Sequence, residues 1–311
     1  MSVNVAVTGA TGYLGEEIVG ELLAREGVRV VAVGRSLERL ELLRRRYHDS
    51  SDRLEVVCAD LLDRYPLPEG TDVIIHAAAV RPVGGGPEPR EMVRANVEAT
   101  LRVIRGAVES GGCRRFVYVS TQSVYGRTGA PWDENSPLAP EGAYALTKYA
   151  GERIAETFDD ALDVIVVRLS RLYGVTPNTR RDELPGRFAR CVLEGKPLVI
   201  HGTGEQRLDL VHVSDASRAV VAAGLLSRVG ASRVFNVGGG ASVSINELAG
   251  IYQELAEQRS LPDVVLLREE DAAQNGRHLE LVIDRATAEL GWSPRIGLEE
   301  GLSAYLAPNP L

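Results

Sequence analysis

A chain of 311 residues has length for one large α/β domain, or for a main domain with a smaller one beside it. With 44% hydrophobic and 25% charged residues it has the composition of an ordinary folded protein, which excludes a disordered chain. The formal net charge of −8 opposes attraction to nucleic acid, and no apolar run approaches the roughly 20 residues of a membrane span, so the expected partner is a small molecule.

The first residues, MSVNVAVTGA, pass straight into a strand-like run with no basic and apolar leader, so the chain is expected to remain in the cytoplasm. Short β-branched runs then alternate with helical patterns: VNVAVTG, a helix from about Gly12 to Arg25, VRVVAVG, a helix from about Ser36, and LEVVCAD. DVIIHAAA, a long helix around Pro89–Ser110, RRFVYVST, a helix through Tyr144–Phe158 and LDVIVVRLS continue the rhythm. This order predicts an α/β fold of the Rossmann type, a doubly wound parallel sheet with helices on both faces. Residues 1–174 are assigned to a dinucleotide-binding domain and 175–311 mainly to a smaller C-terminal α/β substrate lobe. Pieces around Leu210–Val220 and the VFNVG run are expected to be able to rejoin the main sheet. Turn signals mark Thr176–Asn178, Gly202–Gly204, Gly238–Gly240 and Gly291–Pro294.

Three scattered cysteines, Cys58, Cys113 and Cys191, read as free thiols. The five histidines form no HxxxH or HExxH pair, so no metal site is expected.

TGATGYLG, Thr8 to Gly15, follows the first strand and opens the first helix. Gly9 permits the tight turn, Gly12 lets backbone approach a pyrophosphate, Gly15 allows close helix packing, and the helix N-terminus attracts the negative charge. At the end of the second strand, where an acidic residue would bind the ribose hydroxyls of NAD, the chain reads Gly34-Arg35-Ser36. A cation and a hydroxyl there suit a 2′-phosphate, so NADP(H) is favoured and NAD(H) is the alternative. Arg35 could equally lie over the adenine face and serve either cofactor. Asp60-Leu61 follows the third strand, where the carboxylate is either an adenine ligand or an ordinary loop Asp. Ala77, Ala78 and Ala79 would let a cofactor lie against backbone.

Tyr144 and Lys148 stand four residues apart, on one face of a helix. Chance gives on the order of 0.06 such pairs for this composition. The chain otherwise uses Arg for its cations, and Lys148 and Lys196 are its two lysines.

These features together resemble the extended short-chain dehydrogenase/reductase family, which contains nucleotide-sugar epimerases, dehydratases and ketoreductases. The resemblance runs through TGATGYLG, Asp60-Leu61, HAAA, RANVEAT with Asn96, FVYVSTQSVYG, the Tyr144/Lys148 pair, VVRLSRLYG, HGTGEQRLDLVHVSDA and ELGWSPRIGLEEGL. It implies that Tyr144 exchanges a proton with the substrate oxygen, that Lys148 stabilises the phenolate and orients the nicotinamide ribose, and that Thr121, rather than Ser120, hydrogen-bonds the reacting oxygen. A phenol near 10 needs a downward shift of roughly 3 units to act as a base at neutral pH, and an adjacent ammonium supplies part of it. The alternative role for Thr121 is capping a turn. Cofactor contacts implied by the resemblance extend to Thr11, Tyr13, Leu14, Asn96 and Ser170, and substrate contacts to Arg81 and Ser123.

Two departures bear on the reaction. Dehydratases of the family follow their Thr with an Asp-Glu pair, whereas this chain has Gln122-Ser123, which argues against dehydration. Relatives that grip a sugar-nucleotide pyrophosphate commonly carry Arg-Asp where Leu208 precedes Asp209. Arg207, one residue off register, is expected to face the other side of its strand. Arg171 and Arg277 are either replacement phosphate ligands or solvated cations. The leading expectation is an NADPH-dependent ketoreductase acting on a nucleotide-linked sugar. The alternatives are an epimerase with tightly bound NAD and a non-catalytic NADP-sensing protein. A homodimer is expected through the helices at Pro89–Ser110 and Tyr144–Phe158.

Overall fold

The computed structural model describes residues 2–63, 68–82, 87–127, 129–176, 183–227, 233–271 and 276–307. The expected strands form at Val3–Thr8 (β1), Val28–Gly34 (β2), Leu54–Cys58 (β3), Val73–His76 (β4), Arg115–Thr121 (β5) and Asp163–Leu169 (β6). Between them run helices Tyr13–Leu23 (α1), Leu37–Arg46 (α2), Pro89–Val93 (α3), Ala99–Glu109 (α4) and Gly142–Glu156 (α5). A π turn at Arg94–Glu98 joins α3 to α4, so the single long helix read from the sequence carries a local widening in its middle.

The later half comprises Arg171–Tyr173 (β7), Leu184–Leu193 (α6), Leu198–His201 (β8), Arg207–His212 (β9), Val213–Leu225 (α7), Val234–Val237 (β10) and Ser242–Ser244 (β11). Ile245–Gln258 (α8), Leu266–Glu269 (β12), Asp284–Leu290 (α9) and Leu298–Ser303 (α10) complete it. Seven strands build one parallel sheet in the order β10-β6-β5-β4-β1-β2-β3. The order turns back on either side of the β1/β4 neighbours, and the crevice beyond their C-terminal ends is where such a sheet receives a ligand. The VFNVG run does rejoin this sheet, as β10 beside β6.

Alternation along the strands sorts the core. Val5 and Val7 face α1 and α7, packing with Ile18, Leu22 and Val220, whereas Ala6 and Ile74 face α4 and α5, packing with Val103, Ile104 and Ala155. Each fully buried aliphatic side chain of this size contributes about 1.5–3 kcal/mol. The later half has a second core, in which Phe188, Leu198, Ile200, Leu248, Tyr252 and Leu302 join α6, α8 and α10 to the small sheets β11-β9-β7 and β12-β8. Ser244 and Glu247 close a capping box at the start of α8, fixing where that helix leaves the small sheet.

Val93, Leu101 and Leu146 are exposed on α3, α4 and α5, the helices through which two copies are expected to pair. Among the described residues, no helix is long and apolar enough to cross a membrane and no group of side chains could hold a metal ion. The three cysteines are free.

Candidate active site

Beyond β1 the chain turns at Gly9 with φ +72°, and a Cβ there would lie 2.8 Å from the Ala78 backbone. A Cβ at Gly15 would lie 2.0 Å from the Gly9 carbonyl oxygen, so α1 closes directly onto the turn before it. Gly12 is the extended residue that opens α1, leaving the first amides of the helix aimed outward. Gly9, Gly12, Tyr13, Leu14 and Gly15 line one wall of a cleft of about 1070 Å³. This is slightly above the roughly 300–1,000 Å³ of ordinary ligand sites. Side chains at Gly9 or Gly15 would break this tight turn, and the outward amides at the start of α1 fit the pyrophosphate of a nicotinamide dinucleotide.

At the far end of that wall, β5 delivers Thr121 and α5 delivers Tyr144 and Lys148, all three lining the cleft. Thr121 Oγ1 accepts from the Ser123 amide at 3.3 Å and donates to Ser123 Oγ at 3.3 Å, capping the turn after β5, and the hydroxyl lies within hydrogen-bonding reach of the Tyr144 phenol. Lys148 is buried, its Nζ 4.0 Å from the centroid of the Tyr118 ring. That ring is seated by Gly151, one turn along α5, where a Cβ would collide with the Tyr118 hydroxyl at 2.0 Å. His76 also stacks on Tyr118, ring centroids 5.9 Å apart.

Burial lowers Lys148 to about 7, against the opposing pull of the Glu152 carboxylate. Burial, with Lys148 nearby, holds His76 neutral at about 3. The Tyr144 phenol, in contrast to the downward shift expected from its ammonium neighbour, lies above its ordinary value: burial outweighs Arg81 and the Thr121 hydrogen bond. That direction favours the protonated phenol at neutral pH.

Other expected contacts divide into two groups. Arg35, Ala77, Ala79, Arg81, Ser123 and Ser170 line the cleft. Thr11, Ser36, Asp60, Leu61, Ala78 and Asn96 do not line it. Asn96 is buried, its Oδ1 accepting from the Val80 amide at 2.7 Å and its Nδ2 donating to the Val80 carbonyl and Thr147. It therefore pins the loop after β4 to α5 and shapes the cleft from behind. The Ser36 hydroxyl caps α2 by accepting from the Arg39 amide at 3.3 Å, so of the Arg35-Ser36 pair only Arg35 faces the cleft. Asp60 turns its Oδ1 to the Leu62 amide at 3.0 Å, and Leu61 belongs to the core.

The opposite wall comes from β7, β9 and the segment around Arg277. Leu208 and Leu210 project into the cleft, whereas Arg207 reaches away to Ser242 (3.0 Å) and Glu247 (3.1 Å), as strand alternation requires. Arg171 and Arg277 both line the cleft and lie close enough that Arg277, together with burial, lowers the pKa of Arg171. Sequence reasoning did not single out Arg127, Glu141, Glu183 and Arg187, which also line it. Arg127 and Glu141 pair at 2.9 Å across the segment between β5 and α5. Glu183 accepts from Tyr305 at 2.8 Å, and the same tyrosine binds Gly174. No local spacing marks these residues, because they come from separate segments, Arg127 and Glu141 between β5 and α5 and Glu183 and Arg187 at the start of α6.

Fold and cleft together define a Rossmann-type oxidoreductase in which Thr121, Tyr144 and Lys148 meet in one cleft. The chain belongs to the NAD dependent epimerase/dehydratase family, whose model matches residues 5–238. It is 31% identical to a dTDP-glucose 4,6-dehydratase of Streptomyces griseus over 99% of this chain and 94% of that protein. A UDP-glucuronate 4-epimerase of Thermodesulfobacterium geofontis is 29% identical over 95% of this chain and 93% of its own length. Among solved structures, MoeE5 in complex with UDP-glucuronic acid and NAD is 31% identical, with a TM-score of 0.78 and 96% of each chain covered.

Proposed function

We propose that the chain is a nucleotide-sugar epimerase that retains its nicotinamide dinucleotide while one sugar carbon is oxidised and then reduced. The observation that carries this reading is the meeting of Tyr144, beside Thr121, with the glycine cradle in a single cleft, while an amide and a hydroxyl occupy positions 122 and 123. Eliminating water from a sugar calls for a second acid–base group, which Gln122 and Ser123 cannot supply at neutral pH. Relatives acting on or binding uridine-diphosphate sugars, and NAD beside MoeE5's sugar ligands, support internal redox over the net reduction anticipated from Arg35.

The dinucleotide would rest on Gly9, Gly12 and Gly15, with Arg35 at its adenosine end, and its nicotinamide supplies the hydride acceptor and donor. In the oxidation half Tyr144, as its phenolate, would accept the proton of the reacting hydroxyl and in the reduction half return it; because burial favours the neutral phenol, the phenolate would depend on the positive charge of Lys148 and of an oxidised nicotinamide. Thr121 holds that oxygen by hydrogen bond, and Lys148 offsets negative charge on the phenolate. Across the cleft Arg171 and Arg277 would grip the pyrophosphate of the sugar nucleotide by charge-assisted contacts, in place of an Arg at position 208. Leu208, Leu210 and Leu279 give the wall between them an apolar surface.

A second reading, an NADPH-dependent ketoreductase, is favoured by Gly34 and by Arg35 in the cleft wall. Denaturing the purified protein and identifying the released nucleotide separates the two. Stoichiometric NAD is expected, and empty or NADP-loaded protein that oxidises NADPH only with a keto-sugar present would replace the first reading by the second.

A further inference from the structure

Behind the reaction centre lies an ion pair that the chemistry above does not use. Glu152 is fully buried on α5, one turn beyond Lys148 on the same helix face. Its Oε2 accepts from Arg168 Nη2 at 2.8 Å, and its Oε1 accepts from Arg168 Nε at 3.1 Å and from the Ser120 hydroxyl. Ser120 and Arg168 are register partners on β5 and β6, so both side chains rise from the same face of the sheet toward α5. Arg168 Nη1 donates to the Tyr125 hydroxyl at 2.9 Å, which in turn donates to Asn236 Oδ1 at 2.8 Å.

Such a pair is a poor way to gain stability, since desolvating two charges costs about as much as their attraction returns and apolar packing does as well. Its position suggests another use. Ser120 immediately precedes Thr121, Arg168 stands two residues before Ser170, and α5 carries Tyr144 and Lys148. One carboxylate thus ties together the three elements that present the site.

We propose that Glu152, fixed by Arg168 and Ser120, is a positioning residue that sets the charge of Lys148 as well as its place. The groups around Lys148 leave this task to it. Tyr144 lies one turn earlier on α5; Tyr118 presents its ring from β5, and neutral His76 stands behind it on β4. Arg81 acts on Tyr144 from the loop after β4, and Arg168 on β6 is covered by Glu152. Glu152 is the carboxylate that works against the desolvation of the Lys148 ammonium. Arg168 shares that carboxylate and so limits how far it favours the ammonium.

The two-lysine composition supplies a direct test. In full-length protein labelled with ¹³Cε-lysine, Lys148 and Lys196 give two resonances, assigned with Lys196→Arg. Exposed Lys196 serves as the internal control. Glu152→Gln is expected to move the Lys148 titration to lower pH by roughly one unit, and Arg168→Gln to move it upward by a similar amount. Glu152→Asp, which keeps the charge, should recover most of the wild-type position. If Glu152→Gln does not fold, Arg168→Gln and Glu152→Asp carry the test. Melting temperatures that fall while the Lys148 midpoint stays at its wild-type pH in every folded variant would reduce the pair to packing and overturn the proposal. The inference rests on Lys148 as the cation of the proposed reaction, but the titration needs no substrate. A failed sugar assay and an unmoved resonance are therefore separate results.

Discussion

The two walls of the cleft are built on opposite principles. On the sheet side, the polar groups behind the surface are bound to one another: Asn96 to Val80 and Thr147, His76 to Thr8 and Thr100, Glu152 to Arg168 and Ser120. The lobe side offers arginines at the rim of an apolar surface, Arg171 and Arg277 beside Leu208, Leu210 and Leu279. A wall of mutually fixed groups suits atoms that must be held to a fraction of an ångström during bond making. A wall of long cations over leucines suits charge-based grip on a ligand whose sugar varies. The first wall should therefore govern rate and the second affinity.

The largest effect should come from the sheet side. Tyr144→Phe removes the proton carrier while leaving its ring in place, and turnover should fall by about 10²- to 10⁴-fold. The released-nucleotide content and the melting temperature should stay close to those of the unsubstituted chain. A variant whose KM rises while kcat survives would assign Tyr144 to binding and erase the difference between the walls.

The lobe side should respond in the opposite kinetic parameter. Removing one cation by Arg171→Ala or Arg277→Ala forfeits a charge-assisted contact worth about 1.5–3 kcal/mol, so KM for the nucleotide sugar should rise roughly 10- to 100-fold. Chemistry on the bound sugar should be little changed, which steady-state kcat reports. Equal losses in kcat for these variants would mean that the arginines help align the reacting carbon.

The same division explains what could be read before the fold was known. The glycine cradle and the Tyr144/Lys148 pair are local: their meaning lies in spacings of three or four residues on a turn or one helix face. The parallel sheet was legible because its strands are largely apolar on both faces; one exception is Arg168 in VIVVRLS. That exception was the available signal for the ion pair, since a guanidinium in a covered strand must find a carboxylate. Its partner could not be named, because the meeting with Glu152 depends on β5/β6 register and on where α5 crosses them. The side-chain partners of Asn96 were hidden for a related reason. A motif position identifies a side chain, but the local turn decides whether its amide meets a ligand or the backbone of Val80. The sequence had also favoured net reduction on the strength of Arg35. One cation at a cleft wall says which nucleotide fits and says little about whether that nucleotide leaves between turnovers.

The smallest expected effect concerns how the two walls answer acid. His76 sits between Thr8 at 2.8 Å and Thr100 at 3.0 Å, and burial holds its folded-state pKa at about 3 against an ordinary 6.5. Between those values the unfolded chain binds a proton that the folded chain refuses, so this contribution is intact above about pH 6.5 and is lost as the pH falls toward 3. The slope from this one group is at most about 1.4 kcal/mol per pH unit. On the lobe side His212 is also lowered by burial, but Asp215 and Glu300 oppose the shift, which makes its share of the acid sensitivity smaller. Thermal melts of the unsubstituted chain, His76→Gln and His212→Gln at about pH 7 and about pH 4.5 compare the two. His76→Gln should start from a lower melting temperature and lose distinctly less of it on acidification, and His212→Gln should follow the unsubstituted slope more closely. Equal flattening by the two substitutions would show that acid acts on both walls alike, and the contrast would then belong to catalysis rather than to the stability of the sheet side.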